Sequence, residues 1–166
     1  ESFGSNLILD ADGCTVQTRN NIYALGLNKT LYTFNPVNYQ LTATATLNCS
    51  NSSGIYSIGL QRNGVLWVLH DDRSLYRYYI QLGECRPTTF SSNSSDIRLF
   101  AMTFLKSSTN NEETFYVSKQ NDPPNALGTI DLNTLALSKV GNYTNITGYA
   151  DIAGTRSSRL FGLFLD

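Results

Sequence analysis

A short phrase of alternating bulky and small residues occurs four times along this chain. The copies are residues 22–27 (Ile-Tyr-Ala-Leu-Gly-Leu), 55–60 (Ile-Tyr-Ser-Ile-Gly-Leu), 99–104 (Leu-Phe-Ala-Met-Thr-Phe) and 160–165 (Leu-Phe-Gly-Leu-Phe-Leu). Turn residues and a further strand-like run follow each of the first three copies. A phrase that returns at such intervals is typical of stacked copies of one supersecondary unit. The repeat therefore constrains the fold more than any other feature of the sequence.

Strand patterns dominate the rest of the sequence. In residues 40–48, leucine and alanine alternate with threonine, which predicts a half-buried strand whose threonines face solvent. Turn residues interrupt every stretch before a period of 3.6 residues is established, so the sequence predicts no helix. Each complete repeat is predicted to be an antiparallel meander of four strands. The predicted units span about residues 19–50, 51–95, 96–147 and 148–166.

Three segments carry a resemblance to a known architecture. Residues 30–36 (TLYTFNP), 62–68 (RNGVLWV) and 127–134 (LGTIDLNT) resemble strand phrases in the divergent β-propeller repeats of secreted proteins. The resemblance extends over most of residues 20–165 and is generic, since the His and Trp-Asp pairs of WD repeats are absent. It implies an all-β fold, a β-propeller-like array of about four antiparallel four-stranded blades in one domain, residues 1–166.

The sequence leaves two ways of completing this array. Two strand-like runs follow the first copy of the phrase and three follow the second, so the first unit lacks a strand and the last lacks two. In one arrangement, strands from residues 6–18 fill these places and close a small ring. In the other, the units form part of a larger propeller, and their open edges favour pairing with strands of other subunits.

The composition is that of a polar but weakly charged protein. Only 15% of the residues are charged, whereas about a quarter is usual. Seventeen serines, 17 threonines and 17 asparagines stand in their place, which is typical of extracellular β proteins. The net charge is −1, and no basic stripe is present to neutralise phosphates, which disfavours nucleic acid as a partner. No apolar run approaches the roughly 18–20 residues that cross a bilayer, so membrane insertion is not expected.

Asn-x-Ser/Thr sequons support a secreted protein. Chance alone gives about three or four in a sequence of this composition, and six are present. Nearly all lie in predicted turns or at strand ends, where a glycan is tolerated. The predicted glycosylation sites are Asn28, Asn48, Asn51, Asn93, Asn142 and Asn145.

The cysteines indicate an oxidising compartment. Cys49 and Cys85 each end a strand-like run, one unit apart. A disulfide between them closes a loop of about 36 residues and adds about 3–4 kcal/mol to the free energy of unfolding. The alternative is two buried thiols. Cys14 is left over, and it either stays a thiol, pairs with another chain, or pairs with a further part of a longer protein.

Catalytic motifs are sparse in this sequence. Its one histidine, His70, ends a predicted strand and lacks an accompanying Gly-x-Ser-x-Gly motif, so a strand-end role is favoured over a catalytic triad. A glycosidase needs a carboxylate pair, but most aspartates here lie in turns, where they cap the backbone. The candidates for such a pair are Asp10, Asp12, Asp71, Asp72, Asp131 and Asp151. Residues 10–13 match only the start of a calcium loop. We expect no enzymatic activity, metal site or cofactor.

Aromatic residues provide the remaining candidate site. Trp67 and Tyr76 lie on neighbouring predicted strands, with the turn Asp71, Asp72 and Arg73 between them. Aromatic rings with nearby acidic and basic groups are typical of sugar-binding sites. The same residues also alternate correctly for packing inside the sheet, and packing is the favoured interpretation.

These features predict a secreted, glycosylated, non-catalytic module of an extracellular surface or matrix, structural or adhesive in role. Its expected partners are other protein subunits, including further copies in an oligomer or filament, or extracellular glycans. A carbohydrate-binding propeller is the alternative function, and a propeller glycoside hydrolase is the third.

Overall fold

The fold is all-β, as the sequence predicts. The computed structural model describes residues 8–11, 13–92, 97–110, 112–119, 125–146, 148–155 and 157–165. Within these ranges the chain forms one short helix and thirteen strands in four antiparallel sheets. In every sheet, strands that are consecutive in sequence pair with each other, so each sheet is a simple meander.

The four sheets follow one another along the chain. Sheet I contains β1 (Ile22–Leu25), β2 (Thr30–Asn35) and β3 (Gln40–Thr46). Sheet II contains β4 (Ile55–Leu60), β5 (Val65–His70), β6 (Leu75–Tyr79) and β7 (Glu84–Pro87). Sheet III contains β8 (Phe100–Lys106), β9 (Glu113–Lys119), β10 (Ala126–Ile130) and β11 (Leu137–Asn142). Sheet IV contains β12 (Tyr149–Gly154) and β13 (Leu160–Leu165).

The repeated phrase takes the same place in three of the sheets. Its first three copies form β1, β4 and β8, which are the first strands of sheets I, II and III. The fourth copy forms β13, which is the second strand of sheet IV. The first three copies are thus equivalent, and the fourth occupies a different position.

A helix near the N-terminus corrects the sequence prediction. Helix α1 (Val16–Asn20) lies where strands were expected from residues 6–18, and residues 8–10 form no strand. Residues 6, 7 and 12 lie outside the described ranges. Thr15 caps the helix, since its Oγ1 accepts a hydrogen bond of 3.2 Å from the backbone N–H of Thr18. Five helical residues are too few to show a 3.6-residue period, which is why the pattern missed them.

Sheet II lies at the centre of the hydrophobic core. All six residues of β5 are buried. Val65, Trp67 and Leu69 pack in the cluster shared with sheet III, whereas Leu66 and Val68 pack in the cluster shared with sheet I. The unbroken apolar run of β5 is what a strand covered on both faces requires. The sheets therefore stack face to face in chain order from I to III.

Sheet IV continues this stack behind sheet III. The first strand of sheet III, β8, contacts both β4 and β12, so the first strands of three successive sheets lie side by side. The approach of β4 to β8 needs Gly59, because a Cβ there would lie 2.7 Å from Cγ of Met102. The backbone N–H of Gly154 in β12 donates to Oγ1 of Thr103 at 2.8 Å. Ala150 and Ile152 of β12 are buried.

The disulfide predicted between Cys49 and Cys85 is confirmed, with a Cα–Cα distance of 5.0 Å. Cys49 follows sheet I, and Cys85 lies on β7, the last strand of sheet II. The bond therefore links the first two sheets covalently. Cys14 is a half-buried thiol outside this pair.

Candidate functional site

The two aromatic residues of the sequence-predicted sugar site lie inside the core. Trp67 is 2% exposed, and its ring centroid lies 5.0 Å from that of Phe115. Tyr76 is 8% exposed and meets the ring of His70 edge-on at 5.1 Å. Neither ring presents a face to solvent, so neither stacks on a sugar in this conformation. The burial agrees with the packing interpretation of these residues.

The charged residues predicted for the same site lie apart from these rings, on an exposed turn. Asp71, Asp72 and Arg73 are exposed and connect β5 to β6. Oδ1 of Asp72 accepts hydrogen bonds from the hydroxyl of Ser74 at 2.6 Å and from its backbone N–H at 3.0 Å. The Asn51 side chain donates to Oδ2 of the same carboxylate at 3.0 Å. Asp72 therefore caps its own turn.

These hydrogen bonds stabilise the charged form of Asp72, the Ser74 hydroxyl most of all, and they lower its pKa to about 2. We predict that Ser74→Ala raises this pKa towards its ordinary value of 3.8, as measured by NMR titration of the side-chain carboxyl. Because the folded-state pKa is depressed, the stabilisation is present above pH about 4 and is lost as the pH falls towards about 2. Solvent screening keeps it small, since the turn is exposed.

A second turn provides the internal control for this titration. Asp131 accepts hydrogen bonds from the backbone N–H and the hydroxyl of Thr134 and from the backbone N–H of Asn133, and these also lower its pKa. Its turn lies in sheet III, so Ser74→Ala is expected to leave the pKa of Asp131 unchanged. An equal shift at both carboxyls would contradict a local hydrogen-bond effect.

Other candidates for chemistry serve local structure. Asp10 accepts a 2.9 Å hydrogen bond from the backbone N–H of Cys14 and lies 3.6 Å from Arg19. Asp12 lies outside the described residues. His70 is fully buried at the end of β5, with Nδ1 3.3 Å from the carbonyl oxygen of Ser53. Among the described residues, no group of three or more His, Cys, Asp or Glu is placed to hold a metal ion.

Most of the predicted glycosylation sites are open to solvent. Asn28, Asn48, Asn142 and Asn145 are exposed. Asn51 is half-buried, and its Nδ2 donates to Ser74 as well as to Asp72. A glycan on that nitrogen would displace these hydrogen bonds, so Asn51 is the least suitable of the five described sites. Asn93 lies outside the described residues.

A groove of about 340 Å³ opens beside the adjacent first strands. Tyr56 of β4 and Tyr149 of β12 line it, together with Asp151, Leu163 and Leu165 of sheet IV. Burial raises the pKa of Tyr56, and the nearby Tyr149 and Asp71 raise it further. The sequence does not predict this groove, because its walls come from three sheets. The one sequence feature that bears on the groove is the repeated phrase, whose copies contain Tyr56, Leu163 and Leu165.

A second cavity, of about 270 Å³, lies under the N-terminal segment. Nε of Arg62 lies 3.6 Å from Oε2 of Glu113, and both side chains are largely buried. Burial raises the pKa of Glu113, and Arg62 lowers it in part. The carbonyl of Arg62 accepts hydrogen bonds from the Thr15 backbone N–H and the Thr18 hydroxyl. This cluster holds α1 against sheets II and III.

The outer faces of the two terminal sheets are apolar and exposed. On sheet IV the exposed side chains are Tyr149 (57%), Phe161 (56%), Leu163 (62%) and Leu165 (58%). On sheet I, Ile22 is 54% and Leu41 is 59% exposed. Several large apolar residues gathered on one face mark an interaction surface, whereas single ones do not. We call these surfaces the outer face of sheet IV and the outer face of sheet I.

The fold is similar to that of several solved structures. No protein-family model and no curated protein sequence matches the chain. A Bacteroides thetaiotaomicron protein of unknown function has a similar solved structure, with a TM-score of 0.59 at 12% identity over 88% of this chain. The chain spans only 40% of that protein. The similarity therefore shows a shared all-β fold and says nothing about activity.

Two further solved structures are less similar. One is the extracellular domain of a hybrid two-component system from B. thetaiotaomicron, with a TM-score of 0.48 and 19% identity over 88% of this chain and 18% of that one. The other is U3-55K, with a TM-score of 0.46 and 7% identity over 87% of this chain and 48% of that one.

Among the described residues, no helix is long and apolar enough to span a membrane.

Proposed function

We propose that this chain is a secreted, non-catalytic module of β-propeller type, with a structural or adhesive role on an extracellular surface or matrix. One observation carries the proposal: among the described residues, the outer faces of sheets I and IV expose large apolar side chains. Apolar side chains gathered on one face mark surfaces that pack against other protein. A module that joins other subunits would bury these faces in its interfaces.

The order of the sheets supports the propeller arrangement. Each sheet is a meander, successive sheets pack face to face, and the first strands of sheets II, III and IV lie side by side. Radially packed blades whose first strands surround a common axis have this geometry. The solved structure with a TM-score of 0.59 continues beyond the matched part, which is consistent with a larger array.

The disulfide and the exposed sequons support an extracellular location. Disulfides persist in oxidising compartments and are rare in the cytosol. We predict that protein secreted from eukaryotic cells carries N-linked glycans at Asn28, Asn48, Asn142 or Asn145, and that enzymatic deglycosylation lowers its intact mass. Peptide mapping would identify the occupied sites, with half-buried Asn51 expected to stay unmodified. A mass that deglycosylation does not change would contradict the proposed glycosylation.

Self-association tests the structural role. Sedimentation velocity at concentrations from micromolar to about a millimolar is expected to show a weight-average mass that rises with concentration. A protein that stays monomeric throughout this range would contradict the structural role that we propose.

Carbohydrate binding is the second candidate, and the groove beside Tyr56 and Tyr149 favours it. Two tyrosines with a carboxylate, Asp151, between apolar walls form the kind of surface that holds a pyranose. A glycan array tests this function, with Tyr149→Ala as the matched variant. Binding that the variant abolishes would support the candidate, and no binding by the folded protein would reject it.

A further inference from the structure

We propose that the groove beside Tyr56 and Tyr149 binds a small molecule that carries a protonated amine, and that the Asp151 carboxylate pairs with this amine. This inference deepens the carbohydrate-binding candidate above, and it rests on that candidate wherever a sugar carries the amine. Amino sugars and simple alkylammonium ions share this chemistry. The ligand class is therefore defined by a positive charge rather than by hydroxyl groups.

The described residues that line the groove carry a single formal charge, and it is negative. Asp151 is the acidic residue among them, and none of them is lysine, arginine or histidine. Oδ1 of Asp151 accepts a hydrogen bond of 2.9 Å from the backbone N–H of Ile152. In the described part of the chain, this carboxylate forms no ion pair. The groove therefore offers a ligand a negative charge that the described residues leave unbalanced.

Two tyrosines give the same groove aromatic walls. Tyr149 is 57% exposed and lies two residues before Asp151 on β12, so both side chains project from the same face of sheet IV. Tyr56 lines the groove from β4, and β8 lies between the two strands. An aromatic face attracts an ammonium group within about 6 Å of the ring centroid, and a carboxylate pairs with it directly. Tyrosines beside an unbalanced carboxylate are therefore suited to an organic cation.

The electrostatics around Tyr56 favour the same sign of charge. Burial raises the pKa of Tyr56, and the nearby Tyr149 and Asp71 raise it further. Asp71 is exposed at the start of the turn after β5, and within the described ranges it forms no ion pair either. An acidic residue thus lies near each of the two tyrosines. This arrangement attracts a cation and repels an anion.

Hydrogen bonds inside the chain hold the walls of the groove in place. Oγ of Ser57 donates to the carbonyl oxygen of Phe100 at 2.6 Å, which fixes β4 against β8. The backbone N–H of Gly154 donates to Oγ1 of Thr103 at 2.8 Å, which fixes β12 against β8. Because strands rather than loops carry both tyrosines, little ordering is needed when a ligand binds.

A positively charged ligand fits this groove better than a neutral sugar. The volume of about 340 Å³ lies near the lower end of the range for small-molecule sites, roughly 300–1,000 Å³, so the ligand is small. A neutral pyranose over Asp151 would remove water from the carboxylate without supplying a counter-charge, which is costly. A protonated amine supplies that charge. Leu163 and Leu165 on the neighbouring strand β13 provide an apolar surface for the rest of the ligand.

Isothermal titration calorimetry of the full chain with three ligands tests this inference. The ligands are a glucosamine oligomer, the N-acetylglucosamine oligomer of the same length, and butylammonium chloride, in a buffer that keeps the amines protonated. Acetylation removes the positive charge and keeps the pyranose rings. We expect the glucosamine oligomer to bind at least about 10-fold more tightly than its acetylated counterpart, the factor expected for a charge-assisted hydrogen bond.

The variant Asp151→Asn tests which residue supplies the negative charge. It keeps the shape of an exposed side chain, so we expect it to fold, as checked by circular dichroism, and to lose the preference for the amine. Glu112→Gln is the matched control, because it removes the same charge from the exposed turn at the other end of β8 and is expected to keep the preference. If Asp151→Asn does not fold, salt dependence replaces it. Rising salt is expected to weaken binding of the glucosamine oligomer and not of the acetylated one.

The outcomes separate this inference from the carbohydrate function. Equal affinity for the two oligomers would overturn the inference and leave the carbohydrate function standing. Binding of butylammonium but of neither oligomer, lost in Asp151→Asn, would support the inference and reject the carbohydrate function. A preference for the amine that persists in Asp151→Asn would overturn the pairing with Asp151. If none of the three ligands binds the folded protein, both proposals fail.

Discussion

Replacing Trp67 with alanine is expected to lower the free energy of unfolding by about 3–5 kcal/mol. The indole lies between sheets II and III, with its centroid 5.0 Å from the ring of Phe115 and 6.2 Å from that of Phe104. Cζ of Arg77 lies over the same ring, 4.6 Å from its centroid. The truncation leaves a cavity between the sheets, and it also removes the aromatic face that covers a half-buried guanidinium.

Urea unfolding followed by circular dichroism measures this loss. Trp67 is the only tryptophan, so its fluorescence cannot follow the alanine variant. Trp67→Phe keeps an aromatic ring and is expected to lose less stability than the alanine variant. If Trp67→Ala does not fold, the unfolding free energy of Trp67→Phe tests the same prediction. Leu82→Ala is the surface control, with an expected change within about 0.5 kcal/mol. A Trp67→Ala protein as stable as this control would show that the core is not organised around the indole.

The same residue shows what a sequence can and cannot reveal about a site. Alternation and turns predicted the strands around Trp67 and their order, because both are local properties. The role of its ring depends on whether another sheet covers it. The covering sheet is sheet III, which begins more than 30 residues away in the chain. The aromatic pattern was therefore compatible with a sugar site and with a core, and the burial of both rings favours the core.

The repeated phrase illustrates the same limit. Its copies at 55–60 and 160–165 are similar in sequence, yet Ile58 of the first packs partly buried against sheet I, whereas Leu163, at the same position of the second, is 62% exposed. A periodic apolar pattern predicts that a face packs against something, but it does not identify what covers that face. The groove beside Tyr56 and Tyr149 was beyond prediction for a related reason, since three sheets build it. Helix α1 is too short to show a helical period, and the hydrogen bonds of Thr15 and Thr18 to the carbonyl of Arg62 join it to a distant part of the chain.

Removing the disulfide with the double variant Cys49→Ala, Cys85→Ala is expected to lower the free energy of unfolding by about 3–4 kcal/mol. The bond closes a loop of 36 residues, and without it the unfolded chain gains the corresponding freedom. For a domain of this size the loss corresponds to a fall in Tm of about 10 °C. Thermal unfolding of the variant, and of the wild type with and without reductant, measures the effect. Cys14→Ala is the control, because Cys14 lies outside the pair.

The position of the disulfide predicts which sheet is most destabilised when the bond is removed. Sheet I packs on sheet II through a cluster around Leu31 and Leu47, while its outer face is exposed. A sheet covered on one side only is the first to open, and the bond to Cys85 limits that opening. Hydrogen exchange of the double variant is therefore expected to show faster exchange in β1–β3 than in β8–β10. Equally faster hydrogen exchange in all four sheets would instead show that the disulfide stabilises the protein only by restricting the unfolded chain.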